Sequence, residues 1–248
     1  MSTRFPNFRS LKLPVAFLML YFFASHARAG LVIYDALAEF GITNNPNGVW
    51  TYGYSATPNT GFTVFPNHGI ASGGPYWTDN TIGLSNIAFW RNDTWVNGLG
   101  VPPGPSNPAG ESWLVMHPGP GAANDHVFLR FTAPTSGPHS IDLRYLAGDN
   151  GAVQIWMLHN GDTVTPLFDS GVTGAAGTYN SQVSILSGDT IDLVIGNAGS
   201  HFFDSTPVRL TITSTPIPEP GTGLFILLSL LTLGVTRQHR NSGEVTHF

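Results

Sequence analysis

Period-two alternation is the feature that most constrains this chain. Val127, Leu129 and Phe131 alternate with Phe128 and Arg130, and Ile141, Leu143 and Tyr145 alternate with Ser140, Asp142 and Arg144. Successive side chains of an extended strand point to opposite faces, so each run marks a half-buried strand. The pattern returns at Val153, Ile155 and Met157, at Val183 and Ile185, at Ile191, Leu193 and Ile195, and at Val208, Leu210 and Ile212. Turn clusters separate the runs: Thr135 to Pro138, Gly148 to Gly151, Asn160-Gly161-Asp162, Gly174 to Gly177, Ser187-Gly188-Asp189 and Asn197 to Gly199. Short strands at such spacing, with no amphipathic helical window between them, predict an all-β fold, an antiparallel β-sandwich of jelly-roll type.

The region before Trp113 carries a weaker signal. Leu31 to Tyr34 reads as an edge strand, and Phe62 to Phe65, Ile82 to Leu84 and Ile87 to Trp90 as short strands among Gly, Pro and Asn-rich loops. Residues 40–110 read as early strands joined by long loops of the same domain, the alternative being a small second one. The chain has no cysteine, so its core must hold it together. About 185 residues between the two ends are enough for that, burying about 70% of the extended chain's surface, and an exported domain of this size needs no disulfide.

Charge divides the chain into three. Arg4, Arg9, Lys12 and Arg28 precede Gly30, and Arg237 and Arg240 lie at the far end. Residues 30–215 hold four arginines, Arg91, Arg130, Arg144 and Arg209, no lysine and thirteen acids, a formal charge of −9. Such a surface repels nucleic acid and suits divalent cations or neutral glycans.

At the front, the basic residues are followed by an apolar run from Leu13 to Phe23 and then by Ala27-Arg28-Ala29. That order predicts an N-terminal signal helix over 1–29, with Ala27 and Ala29 as the small residues signal peptidase accepts. As a helix the run rises only roughly 17 Å, too little for a hydrocarbon core of about 30 Å.

At the back, Thr215-Pro216-Ile217-Pro218-Glu219-Pro220-Gly221 is a stiff spacer, because its prolines remove donors and bias their predecessors to extended backbone. Residues 222–236 then predict a transmembrane helix. Leu224, Phe225, Ile226, Leu227, Leu228, Leu230, Leu231, Leu233 and Val235 favour insertion by roughly −3 to −5 kcal/mol, and Arg237, His239 and Arg240 stop it. The span is short, so its flanking arginines must snorkel or the bilayer thin. The positive charges beyond it place the C-terminus inside, and the export signal places the 30–215 ectodomain outside.

The order Pro218-Glu219-Pro220, leucine-rich span, basic cluster resembles the PEP-CTERM sorting signal of exported bacterial proteins. It differs in having Ile217 where valine is usual and in running on from Asn241 to Phe248. The resemblance implies recognition of residues 216–248 by an exosortase-like enzyme, residence in the cell envelope or at the cell surface, and association with extracellular polysaccharide or biofilm. The stretch from Trp113 to Ser214 also resembles a sandwich module of such proteins, through His126-Val127-Phe128-Leu129-Arg130-Phe131-Thr132-Ala133-Pro134, Ser187-Gly188-Asp189-Thr190-Ile191-Asp192 and Asp204-Ser205-Thr206. That likeness implies a carbohydrate-binding-like architecture without fixing a ligand.

Catalytic motifs are missing: no Gly-x-Ser-x-Gly elbow, His-Glu-x-x-His pair, phosphate loop or dinucleotide fingerprint occurs. The expectation is therefore a non-enzymatic surface protein without a cofactor. The rival is a secreted glycan-active enzyme, which needs only two carboxylates some 5 to 10 Å apart. His68, His117, His126, His139, His159 and His201 read as dispersed, partly exposed strand-end residues. Asp149, Asp162 and Asp189 sit beside glycine in turns, where aspartate caps its own backbone, and Asp142 and Asp192 fall on outward, solvated strand faces. Asp149, Asn150, Asp162 and Asp204 would supply calcium with loop oxygens if the fold gathered them. Tyr76, Trp77, Trp90, Trp95 and Trp113 crowd one loop-rich region. They are candidates for stacking on sugar rings, or else for pinning loops to the sandwich.

Overall fold

The alternating runs take the extended form their pattern dictates. The computed structural model describes residues 30–71, 74–79, 88–92, 111–120, 126–147 and 151–215. The signal segment, the sorting segment and the piece from Ile82 to Leu84 lie outside the described residues. The strands are β1 Val32–Asp35, β2 Trp50–Ser55, β3 Thr63–Val64, β4 Asn67–Ala71, β5 Gly74–Thr78, β6 Ala88–Asn92, β7 Trp113–His117, β8 His126–Thr132, β9 Gly137–Tyr145, β10 Val153–His159, β11 Phe168–Thr173, β12 Gly177–Ile185, β13 Thr190–Gly196 and β14 Thr206–Ser214.

They form two antiparallel sheets. The first runs β12-β9-β14-β7-β6-β5-β4, with β1 also on β14, and the second runs β11-β10-β13-β8-β2-β3. Strands from residues 50–92 enter both sheets, so this stretch is woven into the same two layers. The inner faces meet in one core. The second sheet contributes Trp50, Tyr52, Leu129, Phe131, Ile155, Met157 and Leu193, and the first contributes Phe89, Leu114, Met116, Ile141, Leu143, Leu210 and Ile212. All of these are buried, and each side chain of this size adds roughly 1.5 to 3 kcal/mol.

β14 organises the first sheet. One of its edges pairs with β9 over Val208 to Ser214. Its other edge is shared end to end, with Thr206 to Val208 on β7 and Thr211 to Ser214 on β1. Arg209 and Leu210 fall in the gap between those two partners. Val32 lies opposite Ser214, so the chain enters and leaves the sandwich at the same end.

Three local readings need correction. Of Phe62 to Phe65, only Thr63 and Val64 are strand; Phe62 instead lies over the outer face of the second sheet, its ring 5.5 Å from that of Phe128. Asp192 is on the outward face but is not solvated: it is fully buried, and Arg130 donates to it from Nε at 2.7 Å and Nη2 at 2.9 Å. His139 is buried rather than partly exposed. Its Nδ1 lies 3.0 Å from the Gly137 carbonyl, and Phe131 packs on its ring. Asp142, by contrast, is exposed as its phase predicts.

Candidate functional site

Pairing across β5, β6 and β7 decides which aromatics share a face. Tyr76 lies opposite Trp90, Trp90 opposite Val115, and Asn92 opposite Trp113. Tyr76 and Trp113 therefore share the outer face of the first sheet. Only the backbone of Trp90 is described, and Trp95 lies outside the described residues. Trp77 has the opposite phase: it joins the main core, stacks on Tyr52 and donates from its indole to the Gly41 carbonyl at 2.9 Å. Trp113 is also fully buried, in a small cluster with Ala88, Val115 and Leu146 against which Tyr76 packs. Neither indole offers a face to a sugar, so the expectation of glycan stacking fails for both, and they serve packing.

What covers Trp113 is polar. Arg144 of β9 and Arg209 of β14 stand directly opposite each other in the register, and their guanidinium carbons lie 5.0 and 4.7 Å from the indole ring. Like charges directly opposite are destabilising on a sheet. Here the indole face and one carboxylate offset the repulsion, since Glu111 Oε2 lies 3.5 Å from Arg144 Nη1 and 3.6 Å from Arg209 Nη1. Arg209 is held further by the Ser112 carbonyl, to which its Nε and Nη2 donate at 3.0 and 2.7 Å.

Beside this pair the gap along β14 opens into a groove of about 590 Å³, lined by Asp35, Leu37, Ala38, Arg91, Glu111, Ser112, Arg209 and Thr211. Its size suits a small ligand or one or two residues of a polymer. Asp35 closes one side by capping a turn: its Oδ1 accepts from the backbone N–H groups of Leu37 at 2.9 Å and Ala38 at 3.1 Å. No motif marks this site in the sequence, because Asp35, Arg91, Glu111 and Arg209 come from four distant segments. The one available signal was the outward phase of Arg144 on β9, in a region with only four arginines.

Of the calcium candidates, Asp162 and Asp204 do not come together. Asp204 sits near the start of β10, where the Gly151 N–H donates to the neighbouring Phe203 carbonyl at 2.8 Å, whereas Asp162 lies just beyond its end, its backbone N–H donating to the His159 carbonyl at 3.0 Å. A seven-residue strand puts the two roughly 20 Å apart. Asp149 and Asn150 lie outside the described residues. Asp162 caps its own turn, accepting from the Thr165 hydroxyl and from the backbone N–H groups of Thr165 at 3.2 Å and Val164 at 2.9 Å, and these bonds, that from the hydroxyl foremost, hold its carboxyl below the usual range. Among the described residues no three His, Asp or Glu side chains converge on a metal position.

The histidines are less dispersed than their spacing implies. His117 is near enough to His201 to feel its charge, and burial first and that charge second depress it to about 4. Next to His201, the exposed pair Phe202 and Phe203, 64% and 63% accessible, escaped the sequence reading. They project from the β13–β14 loop, at the end of the sandwich away from the chain's entry and exit.

No family model and no curated protein matches the chain. Among solved structures it is similar to a family 35 carbohydrate-binding module from Clostridium thermocellum, at 14% identity over 74% of this chain and 98% of that one, TM-score 0.29. It is also similar to a family 51 carbohydrate-binding module from Clostridium perfringens in complex with methyl-galactose, at 13% identity over 66% and 100%, TM-score 0.32. A third likeness is to a Podospora anserina β-(1,4)-mannanase, at 14% identity over 77% of this chain but 29% of that one, TM-score 0.29. Identities and TM-scores this low transfer neither a ligand nor an activity.

Proposed function

We infer that the chain is an exported protein held at the cell envelope by residues 216–248, or released there by an exosortase-like enzyme. In this reading its sandwich associates with polysaccharide through the groove beside Arg209. The location rests on the signal and sorting segments of the sequence. The binding role rests on one observation, the groove's lining of planar charged and hydroxyl-bearing side chains, Asp35, Arg91, Glu111, Ser112, Arg209 and Thr211, set against Trp113. Sugars present adjacent hydroxyls that donate and accept together, and carboxylates, guanidiniums and hydroxyls supply the complementary pairs.

A hydrolytic reading has one observation in its favour: two carboxylates, Asp35 and Glu111, line the same groove. Their surroundings favour binding. Glu111 lies between two guanidiniums and Asp35 spends Oδ1 on two backbone N–H groups, so both carboxylates are engaged within the protein. A glycan array probed with the exported protein tests the binding role. Retention without release of reducing ends is the expected result, and turnover abolished by Glu111→Gln would replace it with the enzyme. Mass determination of the mature C-terminus separates processing from permanent anchoring, since an intact Phe248 excludes cleavage. A protease-accessibility reporter that found the sandwich on the cytoplasmic side would refute the location.

A further inference from the structure

The edges of the two sheets are guarded unequally. A free strand edge invites pairing with another chain, and proteins blunt such edges with short strands, charges, bulges or proline. Among the described residues the free edges belong to β12 and β4 in the first sheet, to β11 and β3 in the second, and to β1 on β14. β3 is two residues long, β1 is four and ends at Asp35, and β4 is five with Gly69 at its centre. β11 carries Asp169, a left-handed Gly171 at φ 61° and an irregular register with β10. β12 has none of these devices. It runs nine residues, Gly177 to Ile185, without a charge or a proline, and pairs with β9 in unbroken register.

The composition of β12 fits a copy of itself. Its outward residues Thr178, Asn180, Gln182 and Ser184 are exposed, and each both donates and accepts hydrogen bonds, so the row is complementary to itself. Residues 30–215 carry a formal charge of −9, which holds copies of the domain apart, and that repulsion is least along a strand free of acids. The inward residues Tyr179 and Val183 pack on the core yet stay half-buried, while Ile141 and Leu143 on the neighbouring β9 are 2% and 0% exposed. At this strand the rim of the core is left uncovered.

The flank is also large enough for a pair. The ring of Phe168 on β11 lies 5.0 Å from that of Tyr179, so the edges of both sheets stand at the same side. Nine residues span roughly 30 Å and two stacked sheets with their side chains roughly 20 Å, which gives roughly 600 Å² on each partner. The total of roughly 1,200 Å² is the lower bound of specific interfaces. Val172 on β11, 64% exposed, adds apolar surface to this flank.

We propose that two copies of the protein pair edge to edge through β12, antiparallel, about a two-fold axis at Ser181. That register uses all nine residues and sets Asn180 of one copy opposite Gln182 of the other. Each inward residue meets an inward one, so the two cores join. The axis stands normal to the sheet and turns both outer faces the same way. A long polymer reaching the grooves of both copies is then held twice, a consequence that rests on the polysaccharide reading above.

Because the chain has no cysteine, single introduced cysteines report the register. Ser181→Cys brings the two copies of that position face to face across the axis, with Cα atoms about 5 Å apart and within disulfide reach. Thr178→Cys leaves its two copies about 20 Å apart, beyond that reach. Mild oxidation of the full exported protein in detergent should therefore cross-link Ser181→Cys at least about tenfold more than Thr178→Cys. The Asn180→Lys/Gln182→Lys variant sets lysines opposite each other twice. It should sediment as a monomer where the parent sediments as a dimer, with circular dichroism unchanged because both positions are exposed. A parent that stays monomeric at ~100 µM, well above the micromolar constants of the weakest interfaces of this order, would overturn the pairing. So would a dimer untouched by the two lysines, or equal cross-linking at Ser181 and Thr178, either of which places the contact on another face. In each case the polysaccharide reading of the groove would stand, since it does not depend on pairing.

Discussion

Two single residues shape how the sandwich responds to acid in separate pH windows. Asp189 accepts from the Leu186 N–H at 2.8 Å, from Asn160 Nδ2 at 2.9 Å and lies 3.0 Å from His159 Nε2. These bonds, that from Leu186 foremost, hold its carboxyl at about 2. Its folded value lies below its unfolded one, so its contribution is present above about pH 4 and is lost as pH falls toward 2. Asp189→Asn should flatten the fall in urea midpoint between pH 4 and pH 2. His117 acts in a higher window, because burial keeps it neutral down to about pH 4 while the unfolded chain takes up its proton near 6.5. Between those values the unfolded state binds more protons, so stability falls as pH falls, by up to ~3 kcal/mol. His117→Gln should remove most of the difference between midpoints measured at pH 7 and pH 4.5.

At the scale of strands and loops, the outer face of the second sheet carries its own small core. Phe128, Leu158 and Val194 are buried there, with Phe62 and Trp156 packed against them, and the Arg130 guanidinium lies 4.0 Å from the Phe62 ring centroid. Gly53 makes room for this, since a Cβ at that position would come 2.6 Å from the Phe62 ring. In the Arg130–Asp192 pair the carboxylate is therefore buried and the guanidinium half-buried, and removing the arginine strands the carboxylate. Arg130→Ala should cost ~3 to 5 kcal/mol in urea unfolding, while replacing both by apolar residues of similar volume should cost much less. A double-mutant cycle measures the difference.

The same face shows what alternation reveals and what it conceals. β8, β9, β10, β13 and β14 were legible because their inward residues are aliphatic or aromatic and their outward ones mostly polar. The phase of Asp192 was equally legible, but the loop folded over it was not, so a solvated residue was expected where a buried ion pair stands. β2, Trp50 to Ser55, hid behind its glycine and hydroxyls, and β11, whose residues are half-buried or exposed, offers little hydrophobic contrast. The groove was invisible for another reason. Its arginines and acids meet only through register, and a single sequence contains no register between segments a hundred residues apart.

For the whole molecule, the decisive relation is between the first and last strands. Among the described residues β1 pairs with β14 alone, with Val32 opposite Ser214. Every strand needed to close both sheets lies within residues 30–215. A polypeptide of these residues should therefore unfold in one cooperative transition, with the same midpoint by tryptophan fluorescence and by far-ultraviolet circular dichroism. β1 is the exception to the idea that edges are dispensable. Its Tyr34 packs 5.2 Å from Phe131 across the two sheets, its ladder covers Thr211 to Ser214, and Asp35 forms one wall of the groove. Beginning the polypeptide at Ala36 strips the β14 edge and exposes the rim of the core, and should cost ~2 to 4 kcal/mol, comparable to truncating one large buried side chain. The same truncation should abolish polysaccharide retention even in conditions where the shortened protein remains folded, because a wall of the groove has gone. Retention unchanged in a folded protein lacking β1 would place the binding surface elsewhere, and would turn attention to the exposed Phe202 and Phe203 at the opposite end.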